Sequence, residues 1–221
     1  MHDLDSARLR CSQTAERFAR ALAIHESTAR LLRDTGREAA AQRVDRLAAV
    51  ARDRIDQPAA MSRMHALALM VRRASELDEV LDQALDGAIT FLAADFGTIQ
   101  LAHPLTKVLR LVSQRGFGDE FVSHFAVVRD ELAVCGRAAR TGKPTVVADV
   151  EADAGFGPHR AIAAASGFRA VLSVPLIDGA GELRGVLSTH FRRPHCPADH
   201  ELRLIDAYAR LVAEEIASRS G

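Results

Sequence analysis

Cys135 stands at the start of a helical pattern, in Ala133-Val134-Cys135-Gly136-Arg137. A thiol in that position is where a helix N-terminus can stabilise a thiolate for nucleophilic or redox work. A buried residue opening an ordinary helix has the same signature, because free cysteine is among the most buried residue types. His190, His195, Cys196 and His200 are of the types that hold zinc. Adjacent side chains such as His195 and Cys196 rarely share one ion, however, and Pro194 and Pro197 fit an extended link into a helix that begins near Asp199. No metal site is therefore assigned. Asp149 and Arg169 could form a structural ion pair, or Arg169 could grip a carboxylate or phosphate. Ser173, Ser188, Thr189 and His190 lie within apolar runs, so one face of those strands is expected to meet something other than packed hydrocarbon.

The elements that must position these groups can be read from spacing. Val171, Leu172, Val174, Leu176 and Ile177 precede Asp178-Gly179-Ala180-Gly181, and Val186, Leu187 and Phe191 follow it. That is the pattern of an antiparallel hairpin. Residues 95–102 and 108–114 are β-rich on either side of a Pro104-containing turn and are expected to form a second hairpin. Residues 118–125 and 135–140 suit short helices and 145–150 a short strand. Residues 153–166 read as a loop leading into a helix, and 198–218 as a long closing helix. Upstream, Leu77, Leu81, Leu85, Ile89 and Leu92 repeat at helical spacing behind a Ser75-Glu76-Leu77-Asp78 cap signal.

Read together, Ala133 to Pro144, Val146 to Val150, Gly167-Phe168-Arg169-Ala170, Pro175-Leu176 and Gly185-Val186-Leu187-Ser188-Thr189-His190-Phe191 give the segment 75–218 a pattern that resembles the GAF family of small-molecule sensor domains. The resemblance implies an α+β fold: a GAF-like central antiparallel sheet with helices on both faces, terminal helices on one side and a ligand pocket on the other. It makes the stretch from Phe117 to Phe168 the roof, contributing His124, Phe125, Cys135, Asp149, Phe156, His159 and Arg160. The floor would add Arg169, Ser173, Ser188 and His190. An apolar cavity with a few polar groups is the usual form of a small-molecule site. Family members that bind haem through histidine make His124 and His159 candidates for that role, and a bilin would need a suitably placed cysteine. The cofactor stays unknown. GAF-type methionine sulfoxide reductases use a set of cysteines, and here the pocket region offers Cys135.

Ahead of this segment, Cys11, Ala15, Phe18, Leu22, His25, Ala29 and Leu32 recur at spacings of four and three. After a stop at Asp34-Thr35-Gly36, Ala40, Val44, Leu47 and Ala51 resume the stripe up to Gln57-Pro58. Residues 1–58 are expected to form an α-helical hairpin and residues 59–221 the sensor domain. The apolar stripe of the hairpin needs cover, from its own domain or from a second copy in a homodimer.

Lys plus Arg and Asp plus Glu number 29 each, so there is no basic field to steer the chain onto nucleic acid. With 48% apolar and 26% charged residues the composition is that of a folded globular protein. Three scattered cysteines argue against a disulfide framework and, with no leader or membrane-spanning run in the sequence, point to the cytoplasm. No effector domain is expected after the closing helix. The expectation is a non-catalytic signal-sensing protein that binds a small molecule and acts through a separate effector protein. One alternative is an interaction or dimerisation module whose pocket is filled by its own side chains. Another is a thiol-based redox sensor or enzyme using Cys135.

Overall fold

The computed structural model describes residues 23–24, 27–129 and 131–219, with backbone alone over 46–57. The expected stripe residues Cys11, Ala15, Phe18, Leu22 and His25 lie outside the described residues. The chain divides into two compact units, Met1–Ala60 and Met61–Gly221.

In the first unit, residues 27–34 are helical and turn at Thr35-Gly36 into α1, Glu38–Arg73, whose residues from Met61 onward belong to the second unit. Gly36 takes a left-handed backbone, φ 72°, which costs a residue without a Cβ nothing. The turn closes with Gly36 N–H donating to Arg33 O and Arg37 N–H to Leu32 O, as expected from the Thr-Gly stop signal. Ala29 and Ala41 are buried, and Arg33 pairs with Asp45, so the two helical arms run side by side as a hairpin.

The expected break at Gln57-Pro58 does not occur, because α1 continues through Pro58 to Arg73. A proline inside a helix forfeits one hydrogen bond and costs about 3 kcal/mol. Burial of Met64 and Val71 further along offsets that cost, each fully buried apolar side chain contributing roughly 2 kcal/mol.

In the second unit, α2 spans Leu77–Leu92. Its cap differs from the one the sequence suggests. The N-cap is Glu76 with no side-chain bond, while the Ser75 backbone N–H donates to Glu79 Oε2 at 2.8 Å. Six strands follow: β1 Phe96–Ala102, β2 Leu109–Arg115, β3 Val127–Val128, β4 Thr145–Val147, β5 Ala170–Ile177 and β6 Leu183–Phe191. They form one antiparallel sheet in the order β3-β2-β1-β6-β5-β4. Both anticipated hairpins are present, and the strand that opens the sheet lies beside the one that closes it. Phe96 faces His190, Thr98 faces Ser188, and Ser173 faces Ser188 from the other side. Gly185 makes the β1–β6 approach possible: a Cβ there would lie 2.2 Å from the Gln100 carbonyl oxygen.

The sheet separates two layers. Helix α2 packs on β1 and β2, and the closing helix, here α6, Asp199–Arg219, packs on β5 and β6. Strand alternation directs Ile99, Leu172, Val174, Leu176 and Leu187, all buried, to that side. The Tyr208 hydroxyl, buried between α6 and α2, donates to the Gln83 and Ala84 carbonyls at 3.4 and 3.3 Å. The opposite face carries α3, Asp119–Phe125, α4, Val134–Thr141, a 3-10 turn at Ala154–His159, and α5, Arg160–Ser166. Among the described residues no helix is long and apolar enough to cross a membrane.

Candidate functional site

Between the sheet and this second layer lies a small chamber of about 30 Å³. Its floor is polar. Thr98 and Gln100 from β1, Ser173 from β5, and Ser188 and His190 from β6 all point into it and are almost completely buried. The Ser173 and Ser188 hydroxyls share a hydrogen bond of 2.7 Å, and Gln100 Nε2 donates to the Phe125 carbonyl at 3.1 Å, tying the floor to the end of α3. His190 Nδ1 is buried without a hydrogen-bond partner. Burial drives the imidazole down to about 3, so at neutral pH it is uncharged.

The roof is aromatic. Phe121 and Phe125 lie one turn apart on the inner face of α3, Phe156 comes from the 3-10 turn, and Phe168 lies two residues before the start of β5. Phe121 stacks on Phe117 with centroids 3.5 Å apart and tilts against Phe125 at 4.7 Å. Phe117 and Phe168 meet the His190 ring edge-on at 5.0 and 4.9 Å. The buried imidazole thus sits in an apolar aromatic cage, which is the physical cause of its low proton affinity. Val134 and Cys135, at the start of α4, complete the wall. A space this small holds about one water molecule.

A second hollow of about 240 Å³ adjoins the chamber and is lined by His124, Val127, Val128, Arg129 and His159. Phe125 and Ala133 line both spaces. His124 Nε2 and His159 Nδ1 are hydrogen-bonded at 3.0 Å, closing α3 against the 3-10 turn beside Phe125. On the far side of α4 runs an open groove of about 780 Å³, across which Lys107 pairs with Glu182 at 2.8 Å and Arg140 with Glu131.

Six of the eleven residues singled out from the sequence line the chamber: Phe125, Cys135, Phe156, Ser173, Ser188 and His190. His124 and His159 meet each other in the adjoining hollow. Asp149 and Arg169 lie outside the chamber lining, joined by a bidentate ion pair with Nη2 to Oδ2 at 2.8 Å and Nε to Oδ1 at 3.1 Å. The Arg169 hydrogen bond, with help from the Glu151 backbone N–H, holds the Asp149 carboxyl below the usual range. Arg160 also serves the scaffold, donating to the Val150 and Asp153 carbonyls. Cys196 is exposed, and Cys11 lies outside the described residues, so Cys135 is the one cysteine among the described residues at the chamber. Among the described residues no three metal-ligating side chains converge. His195 instead stacks on Phe191 at 4.0 Å. Thr98, Gln100 and Phe121 were missed, although alternating polar residues in β1 and the one-turn spacing of Phe121 and Phe125 were visible signals.

A family profile described as the GAF domain matches residues 74–217. The chain belongs to the GAF family. Solved GAF structures share its fold. The GAF domain of a phosphoenolpyruvate-protein phosphotransferase from Coxiella burnetii superposes with a TM-score of 0.66 at 19% identity, covering 75% of this chain and 96% of that one. A free methionine-R-sulfoxide reductase from Neisseria meningitidis, solved with its substrate, gives 0.61 at 17% identity over 75% and 92%. The chromophore-binding domain of a bacteriophytochrome from R. palustris gives 0.57 at 11% identity over 72% and 62%. No curated sequence matches the chain significantly. Members of one GAF fold therefore include a reductase and a chromophore-binding domain, and the side chains of the chamber must decide what this one does.

Proposed function

We propose that this GAF protein is a non-catalytic sensor that binds a small molecule in the chamber beneath α3 and passes the change to its helices. The observation that carries this reading is the polar floor. Five polar side chains converge under a roof of phenylalanines, with His190 Nδ1 buried and unpartnered. A buried polar group without a partner costs about 1–3 kcal/mol, and a core with no use for it is more stable without it. The compact arrangement is the closed state. A ligand that prefers displaced rings shifts the population toward an open state by its differential affinity.

The output we propose is a homodimer formed through the N-terminal helical hairpin, residues 1–58, that signals to a separate effector in the cytoplasm. In the first unit, Ile24 and Leu31 are spaced seven residues apart and are each about two-thirds exposed, which suits a helical seam between two copies. Thermal denaturation against a panel of metabolites, with sedimentation of the same samples, tests the proposal. Concentration-dependent stabilisation by at least one compound, in a dimeric protein, is the expected result.

The small chamber favours a second reading, in which the pocket is vestigial and Phe125, Phe156 and Phe168 are its permanent filling. Replacing one of these rings by alanine separates the two. A vestigial core loses about 3–5 kcal/mol and gains no ligand, whereas a sensor opens.

A further inference from the structure

Resting on the sensing reading, the chamber also restricts the class of its ligand. We infer that the molecule it takes is uncharged, a ring-sized compound carrying an amide, phenol or indole-type hydrogen-bonding group, admitted by displacement of Phe125 from the wall shared with the adjoining hollow.

Three observations converge. First, among the described residues no acidic side chain, arginine or lysine lines the chamber. The charged groups of the second layer lie outside that lining: Arg169 pairs with Asp149, Arg137 lies 3.6 Å from Asp153 with its Nε and Nη2 buried and without a partner, and Arg160 donates to two carbonyls. Arg129 lines the outer hollow, where it is exposed to solvent, and so stands at the mouth of the joined space and outside the chamber floor. A charged group seated on the chamber floor would lose its water with no opposite charge among the described lining residues, a loss that weakens binding by roughly a hundredfold or more. Neutral His190 cannot supply that charge near pH 7.

Second, the polar atoms present suit a neutral partner. The Ser173–Ser188 pair keeps one hydroxyl hydrogen and free lone pairs after its mutual bond. His190 Nδ1 can donate or accept according to tautomer. A group that both donates and accepts matches them, and the edges and faces of Phe121, Phe156 and Phe168 match a flat ring.

Third, the wall residue is identifiable. Phe125 borders both the 30 Å³ chamber and the 240 Å³ hollow. Swinging its ring aside joins them into a space near the lower end of small-molecule sites, about 300 Å³. The contacts that hold the wall shut are the Gln100 bond to the Phe125 carbonyl and the His124–His159 bond.

The test uses the full chain and Phe125→Ala, with Phe125→Leu as a milder opening should the alanine variant fold poorly. Four probes of similar size are used at pH 7.5: benzamide, indole, benzoate and benzylamine. Thermal shift and saturation-transfer NMR are read together. The expected result is binding of benzamide and indole, about tenfold tighter in the Phe125 variants, with benzoate and benzylamine weaker by roughly a hundredfold. Benzoate or benzylamine binding as tightly as benzamide overturns the ligand class while leaving a sensing pocket in place. No probe bound by either the wild type or a folded Phe125 variant overturns the sensing reading and the ligand class with it.

Discussion

His190 makes the buried floor measurable. The ordinary imidazole of an unfolded chain takes a proton near pH 6.5, whereas in the folded protein burial pushes His190 down to about 3. Between these values the unfolded state binds more protons than the folded one, so stability falls as the pH drops below about 6.5 and the loss is complete near pH 3. At about 1.36 kcal/mol per pH unit, the penalty is about 2 kcal/mol at pH 5. It approaches roughly 5 kcal/mol at the acid limit, a large part of the 5–15 kcal/mol total of a typical domain. Other groups titrate in the same window, so the informative quantity is a difference in slope. Urea denaturation of the wild type and of His190→Gln should be followed at pH 7.5, 6.0 and 5.0. The variant starts less stable, yet its loss between pH 7.5 and 5.0 should be smaller than that of the wild type by about 2 kcal/mol. NMR of the ring protons should show no titration of His190 above pH 4. Parallel pH slopes for the two proteins, or an imidazole midpoint near 6.5, would refute the claim that this ring is sealed in an apolar cage.

Gly185→Ala should destabilise the domain by more than about 3 kcal/mol or prevent folding, because its methyl group meets the Gln100 backbone carbonyl, which cannot turn aside. Gly97→Ala, whose added methyl meets the flexible ends of Leu85 and Ile89, should cost less, about 1–3 kcal/mol, and denaturant midpoints of the two variants check the ranking. Cys135→Ser should cost about 1 kcal/mol and leave probe binding within a factor of about three, since the residue is a wall. Methionine sulfoxide reduction by the wild type that vanishes in this variant would make the thiol catalytic.

How much of this was legible depended on how local each signal was. The β5–β6 hairpin announced itself through apolar runs bracketing a Gly-rich turn, and α3 and α4 fall within two residues of their expected limits. The Asp149–Arg169 pair was also readable, since a partly buried arginine needs a carboxylate. Strand β3 was not, because two residues carry no periodicity. Strand β4 stops at Val147, short of the expected Val150, because Asp149 takes up the turn by accepting from the Glu151 backbone N–H. Pro58 misled for a different reason: a helix breaker acts locally, and long helical flanks can override it. Thr98 and Gln100 were hidden by the same limit. Alternation says that two side chains share a face, but only pairing with β6 reveals that the face is the one carrying Ser188 and His190. Likewise, His124 and His159 are far apart in sequence and meet only through the packing of α3 on the 3-10 turn.

Strand β6 lies at the middle of a sheet one backbone thick. Ser188 and His190 look toward the chamber, and their immediate neighbours Leu187 and Thr189 look toward α2 and α6. A shift of either floor residue tilts the peptide planes on which the helix-facing side chains stand. Under the sensing proposal, news of an occupied chamber needs no relay of contacts across the molecule, because both sides are printed on the same ribbon.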